Sequence, residues 1–111
     1  MEAFLGFHTE DVVFHFPGRS PLAGEHRGHE AAGKLIRAQI QAGGTSEIHD
    51  FLTHGEHAVL LSLVRLTVPG GQVIEDRQVI VFHHRDGRFS EVWVYPENQY
   101  GVDEMIARAP R

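Results

Sequence analysis

Few residues of this chain combine a type and a setting that suit chemistry. His15 is the imidazole inside the apolar run DVVFHF, residues 11–16. Imidazole titrates near neutral pH and can carry a proton, which makes His15 a weak catalytic candidate as general base. Strand alternation, however, points it away from Phe14 and Phe16. Asp76 and Gln78 stand two apart in IEDRQVI and would share one strand face. There they either orient a polar ligand group or satisfy one another; Asp76 is the second candidate base. Arg77 between them faces the other way. Arg19, just after Pro17-Gly18, suits an anion at a pocket mouth, or simply solvent.

Nine histidines raise the question of a metal. His26 and His29 are three apart, as are His54 and His57, and His83 is adjacent to His84. Zinc needs three or four converging ligands. Adjacent strand residues diverge to opposite faces, and the other two pairs fall in a turn and at a helix entry. No metal and no cofactor is expected. Ser-His-Asp spacing, a glycine-rich phosphate loop and nucleotide motifs are missing from the sequence.

The composition fits one globular domain over residues 1–111, with 41% apolar residues and a net charge of −5. A basic footprint for nucleic acid is missing. No run of 18 apolar residues exists to span a membrane. Residues 1–10 lack the basic start and apolar stretch of a signal peptide. The absence of cysteine excludes disulfides and fits a cytoplasmic protein.

Several elements must position these residues. Ala3, Phe4 and Phe7 make a helical face of about two turns. Asp11 to Phe16 reads as a strand stopped by Pro17-Gly18, and Arg19 to Gly28 as a loop. His29 to Ala42 is the best helix, with Gly28 at its start and Gly43-Gly44 at its end; Gly33 is its weak point. Four strands follow: Ser46–Thr53, Ala58–Val68, Gln72–His84 and Phe89–Tyr95. Their turns lie at His54 to His57, Pro69-Gly70-Gly71 and Asp86-Gly87. Pro96 breaks the last strand, and Asn98 to Arg108 suits a short helix. Helices beside an antiparallel sheet make an α+β fold.

The Asp86-Gly87 turn sets a register in which Phe89 faces His84, Glu91 faces Phe82 and Trp93 faces Ile80. A Val68–Gln72 pair across the preceding turn puts Asp76 opposite Val64 and Gln78 opposite Ser62. One face then carries Ala58, Leu60, Ser62, Val64, Asp76, Gln78, Ile80, Phe82, Glu91, Trp93 and Tyr95. The other carries Val59, Leu61, Leu63, Arg65, Arg77, Val79, Val81, His83, Val92 and Val94. A bulge would invert part of this assignment. Both faces are apolar, so the valine-rich one is expected to form a homodimer interface and the Trp93 face to line a cavity.

The stretches DVVFHFPGRSPLAGEHRGHEA and DRQVIVFHHRDGRFSEVWVYPENQYGVDEMIA resemble the first strand, turn and helix entry, and the closing hairpin and tail, of SnoaL-like domains. These belong to the ketosteroid-isomerase-like branch of the nuclear-transport-factor-2-like superfamily. The resemblance implies a cone-like, strongly curved, mostly antiparallel sheet with helices packed on one face around a pocket. Relatives carry a full helix before the first strand; only Met1 to Thr9 precede it here, which implies a shortened helix and an open or partner-completed pocket. It also implies that the isomerase base position is Phe16 and the oxyanion-binding position Gln78. Neither residue can move a proton there, so that dyad's chemistry is not expected. Pocket residues are expected to be Phe14, Phe16, Gln78, Ile80, Trp93 and Tyr95. Trp93→Ala should then abolish binding.

Three functions stay open. The first is a protein that binds a small, mainly apolar molecule. The second is an isomerase, cyclase or hydrolase acting on a small organic substrate. The third is a dimeric interaction module whose pocket its own side chains fill.

Overall fold

The computed structural model describes residues 2–41, 44–67 and 70–108. Its elements are α1 (Glu2–Gly6), β1 (His8–Phe16), β2 (Gly24–Arg27), α2 (Gly28–Gln41), β3 (Thr45–His54), β4 (His57–Thr67), β5 (Val73–Arg85), β6 (Arg88–Pro96) and α3 (Gln99–Arg108). The strands form one six-stranded sheet in the order β2-β1-β6-β5-β4-β3. All neighbours are antiparallel except β1 and β6, which run parallel. This is the α+β fold that the sequence patterning gives, arranged as the cone that the family resemblance implies. No helix among the described residues is long and apolar enough to cross a membrane.

Alternation builds the core. Val12, Phe14 and Phe16 point inward from β1 and are buried with Leu66, Phe82 and Val92 from the other strands. Ala32 and Leu35 of α2, and Val102, Met105 and Ile106 of α3, belong to the same cluster. Helical spacing puts each of these sets on one stripe. Asn98 caps α3, its Oδ1 accepting the Gly101 N–H at 2.9 Å. Gly44 N–H closes α2 on the Gln39 carbonyl at 3.3 Å. The expected last residue of α2, Ala42, lies outside the described residues, as does Val68 of the expected Val68–Gln72 pair.

Three features depart from the sequence expectation. The stretch read wholly as a loop contains β2, whose Gly24 to Arg27 pair with Phe16 to Val13. Its residues, GEHR, carry no apolar alternation, so only the bonding edge of β1 makes them a strand. β1 itself starts at His8, three residues before the expected Asp11.

The third departure reverses a face. Asp86 (φ 55°) and Gly87 (φ 80°) form the expected two-residue turn, and Phe89 pairs with His84. The next pair is Glu91 with His83, not Glu91 with Phe82. Ser90 is therefore an extra residue, a β-bulge that slips the alternation of β6 by one. Val92 and Val94 turn inward; Trp93 and Tyr95 turn out. A second bulge, at His49 between the Ile48–Ser62 and Asp50–Leu61 pairs, brings Ile48 and Phe51 to the same side of β3.

The turn after β1 is locked to α3. Arg19 N–H donates to Asp103 Oδ2 at 3.1 Å, and Gln99 Nε2 donates to Asp103 Oδ1 at 3.0 Å. Gly18 lies beneath that pair at φ 99°, where an added Cβ would overlap the Asp103 carboxyl and the Gln99 amide. Gly18→Ala therefore combines left-handed strain with a steric conflict. It is expected to lower the unfolding free energy by about 2 kcal/mol, measured by urea titration.

Candidate functional site

The concave side of the sheet, under α2 and α3, encloses a cavity of about 560 Å³. Its floor is the inward set of each strand: Phe14 and Phe16 from β1, Leu60, Ser62, Val64 and Leu66 from β4, Gln78, Ile80 and Phe82 from β5, and Val92 and Val94 from β6. Ile36, Gln39 and Ile40 of α2 and Val102, Met105 and Ile106 of α3 form the roof. Phe7, Ile40, Ile48 and Phe51 are exposed apolar residues along the lining. The wall is thus largely apolar with a few placed polar groups, the usual make-up of a small-molecule site.

At one end of the cavity the polar group is Gln78. Its Nε2 donates to Asp76 Oδ2 at 3.2 Å, and Asp76 Oδ1 accepts the Asn98 N–H at 2.6 Å. Asp76 is fully buried, so its oxygens are occupied by the protein and do not reach the cavity. It acts by positioning: a carboxylate can only accept, so it draws the amide nitrogen of Gln78 and leaves that amide's carbonyl for a ligand. Ser62, paired across from Gln78, is buried beside it and bonds weakly to the Glu47 carbonyl at 3.4 Å.

The structure thus gathers Phe14, Phe16, Gln78 and Ile80 around one cavity and separates them from Trp93, Tyr95 and His15. The Ser90 bulge is the reason for Trp93 and Tyr95. On the outer face His15 stacks on Trp93, with ring centres 5.2 Å apart and planes 6° from parallel. His15 Nε2 donates to Glu91 Oε2 at 2.5 Å. His83 meets the edge of Trp93, and His57 and His83 share a hydrogen bond between their Nε2 atoms at 2.7 Å. Among the described residues no three histidine or acidic side chains gather to hold a metal ion.

The cavity also holds a residue that sequence reasoning missed. His8, 3% exposed, stands at the start of β1 and lines the cavity. His8 shares the parity of Phe16, Phe14 and Val12, but Glu10 between them is exposed and the register of β1 on β6 shifts between His8 and Val13, so alternation alone does not reach it. Burial lowers its pKa from the ordinary 6.5, against the opposing bond to the Phe4 carbonyl, and nearby His29 lowers it further. The folded chain therefore resists a proton that the unfolded chain accepts. Stability from this group is whole above pH 6.5 and is lost as pH falls below it. Urea midpoints are expected to drop between pH 7.5 and pH 5.5, and the drop should shrink in His8→Asn.

Known relatives share this architecture. The SnoaL-like domain family matches residues 1–92, and the chain belongs to that family. Bal32a, from a soil-derived mobile gene cassette, is similar at TM-score 0.82 and 24% identity, over 95% of this chain and 82% of that one. TerC, co-crystallised with polyporic acid, is similar at TM-score 0.81 and 17% identity, over 94% and 84%. A putative SnoaL-like polyketide cyclase from Jannaschia sp. CCS1 is similar at TM-score 0.76 and 15% identity, over 98% and 79%. At these identities the likeness is one of fold. No curated protein matches the sequence.

Proposed function

We propose that this protein binds a small, mainly apolar organic molecule in the cavity between sheet and helices. The observation that carries the reading is the cavity itself: about 560 Å³ of space in an apolar wall, with Gln78 held in one orientation by Asp76. That volume lies within the range of ligand sites. The polyporic acid bound by TerC and the polyketide-cyclase name of the Jannaschia relative point to the same class of ligand, an organic ring compound.

Thermal denaturation with apolar bicyclic probes tests this directly. A ligand at a hundred times its Kd stabilises by about 2.7 kcal/mol, a readily measured rise in Tm. No shift with naphthalene, 2-methoxynaphthalene or 2-naphthol at saturating concentration would overturn the reading.

The outer face supports a second assignment, a homodimer through the sheet. Val59, Leu61, Leu63, Val79, Val81, Trp93 and Tyr95 share that face with His15, His57, His83, Glu91, Arg65 and Arg77, and Tyr95 is 54% exposed. Apolar side chains of this number on one sheet face favour cover by a partner. Light scattering should give twice the chain mass at micromolar concentration; a stable monomer would sink it. A chain without cysteine suits the reducing cytoplasm as its location.

A further inference from the structure

The surroundings of His8 fix which of its ring nitrogens can meet a ligand. Its ring is boxed by three aromatic rings, with centres 4.7 Å from Phe4, 5.3 Å from Phe14 and 5.5 Å from Phe89. Nδ1 lies 2.9 Å from the Phe4 carbonyl oxygen. A carbonyl only accepts, so Nδ1 carries the proton and donates. In a neutral imidazole the other nitrogen is then a bare acceptor. Burial favours that neutral form.

No described residue partners Nε2. Nε2 is not among the sealed, unpartnered side-chain atoms of the described residues, so it is not closed off inside the protein. His8 lines the cavity, and the cavity is where a partner can come from. An acceptor left unmet in such surroundings costs free energy that a donor on the ligand would recover.

We infer that the ligand is a hydroxyl-bearing ring compound whose O–H donates to His8 Nε2, with the ring seated among Phe4, Phe14 and Phe89. This rests on the ligand-pocket reading and adds the ligand's chemical class. It also sets a direction along the cavity. Phe82 packs on Phe89 at 4.3 Å, in the aromatic group around His8, whereas Gln78 stands four residues along β5. At about 3.3 Å per residue Phe82 and Gln78 are on the order of 13 Å apart along the strand, so the two polar groups stand toward different ends of the cavity. An elongated molecule with a hydroxyl at one end and a donor facing the Gln78 carbonyl at the other satisfies both.

Three probes of nearly one shape test the inference on the full chain: 2-naphthol, 2-methoxynaphthalene and naphthalene, titrated by calorimetry at pH 7.5. Wild type should bind 2-naphthol roughly tenfold more tightly than 2-methoxynaphthalene, the yield of one hydrogen bond made in a dry pocket. His8→Asn keeps a donor for the Phe4 carbonyl and removes Nε2. It should bring 2-naphthol down to the level of 2-methoxynaphthalene. If none of the three binds wild type, the pocket reading itself fails. If all bind wild type with equal affinity, or if His8→Asn keeps the preference for 2-naphthol, the pocket stands and the role of His8 is overturned. The wild-type comparison needs no variant, so a folding defect in His8→Asn cannot shelter the inference.

Discussion

Asp76→Ala is expected to remove about 3 kcal/mol of stability, a large share of what holds a domain of this size. The carboxylate is fully buried and ties its own strand β5 to the entry of α3. It accepts the Asn98 N–H at the entry to α3 and the Gln78 amide on its own strand, and Asn98 in turn caps α3 through Gly101. Each hydrogen bond to a charged group contributes about 1.5–3 kcal/mol, and alanine would leave both donors facing a void. Part of this is offset because the wild-type carboxylate no longer has to be desolvated. Asp76→Asn separates structure from recognition. Its Oδ1 can keep the Asn98 bond, so the loss should be only about 1 kcal/mol. Its Nδ2 then faces Gln78 as a donor, and the Gln78 amide must turn its carbonyl toward residue 76 and its NH2 toward the cavity. Ligands that donate at this end should weaken, and ligands that accept should strengthen. Urea denaturation and calorimetry on the two variants measure these effects separately.

The sheet was legible because alternation and turn residues are local signals. DVVFHF-PG announces a strand and its stop; Asp86-Gly87 announces a tight turn, and both φ angles there are positive. The register of β4 on β5, with Val64 opposite Asp76 and Ser62 opposite Gln78, follows from the same alternation. The inward positions of Phe14, Phe16, Gln78 and Ile80 were therefore readable. The bulge at Ser90 was not. Nothing in the composition of RFSEVWVY marks it, because its cause is tertiary: Phe89 N–H bonds to the Phe7 carbonyl at 2.9 Å, and the Phe89 ring packs on Phe82. One residue must be looped out for β6 to satisfy that contact and still pair with β5 and β1. His8 escaped for a related reason. Glu10 and Asp11 interrupt the apolar pattern, and only pairing with Phe89 of β6 carries β1 back to His8.

The same bulge sets the sharpest test of which face binds. Ile80 pairs with Leu60 and Val94, in the middle of the cavity floor. An indole at residue 80 would enter open space, so the usual overpacking cost of about 1–3 kcal/mol is largely avoided and stability should hold within about 1 kcal/mol. It would occupy the volume a ring ligand needs, and affinity for 2-naphthol in Ile80→Trp should fall at least about tenfold. Trp93 is the chain's single tryptophan, and without the bulge it would share the Ile80 face. In the folded chain it lies on the opposite surface between the His15 and His83 rings. Trp93→Ala should therefore cost about 1–2 kcal/mol from lost aromatic contact and leave 2-naphthol affinity within about twofold. Loss of binding in Trp93→Ala with retention in Ile80→Trp would move the site to the convex face. The opposite result fixes it between sheet and helices, with residue 90 as the one that decides which aromatic side chains a ligand can meet.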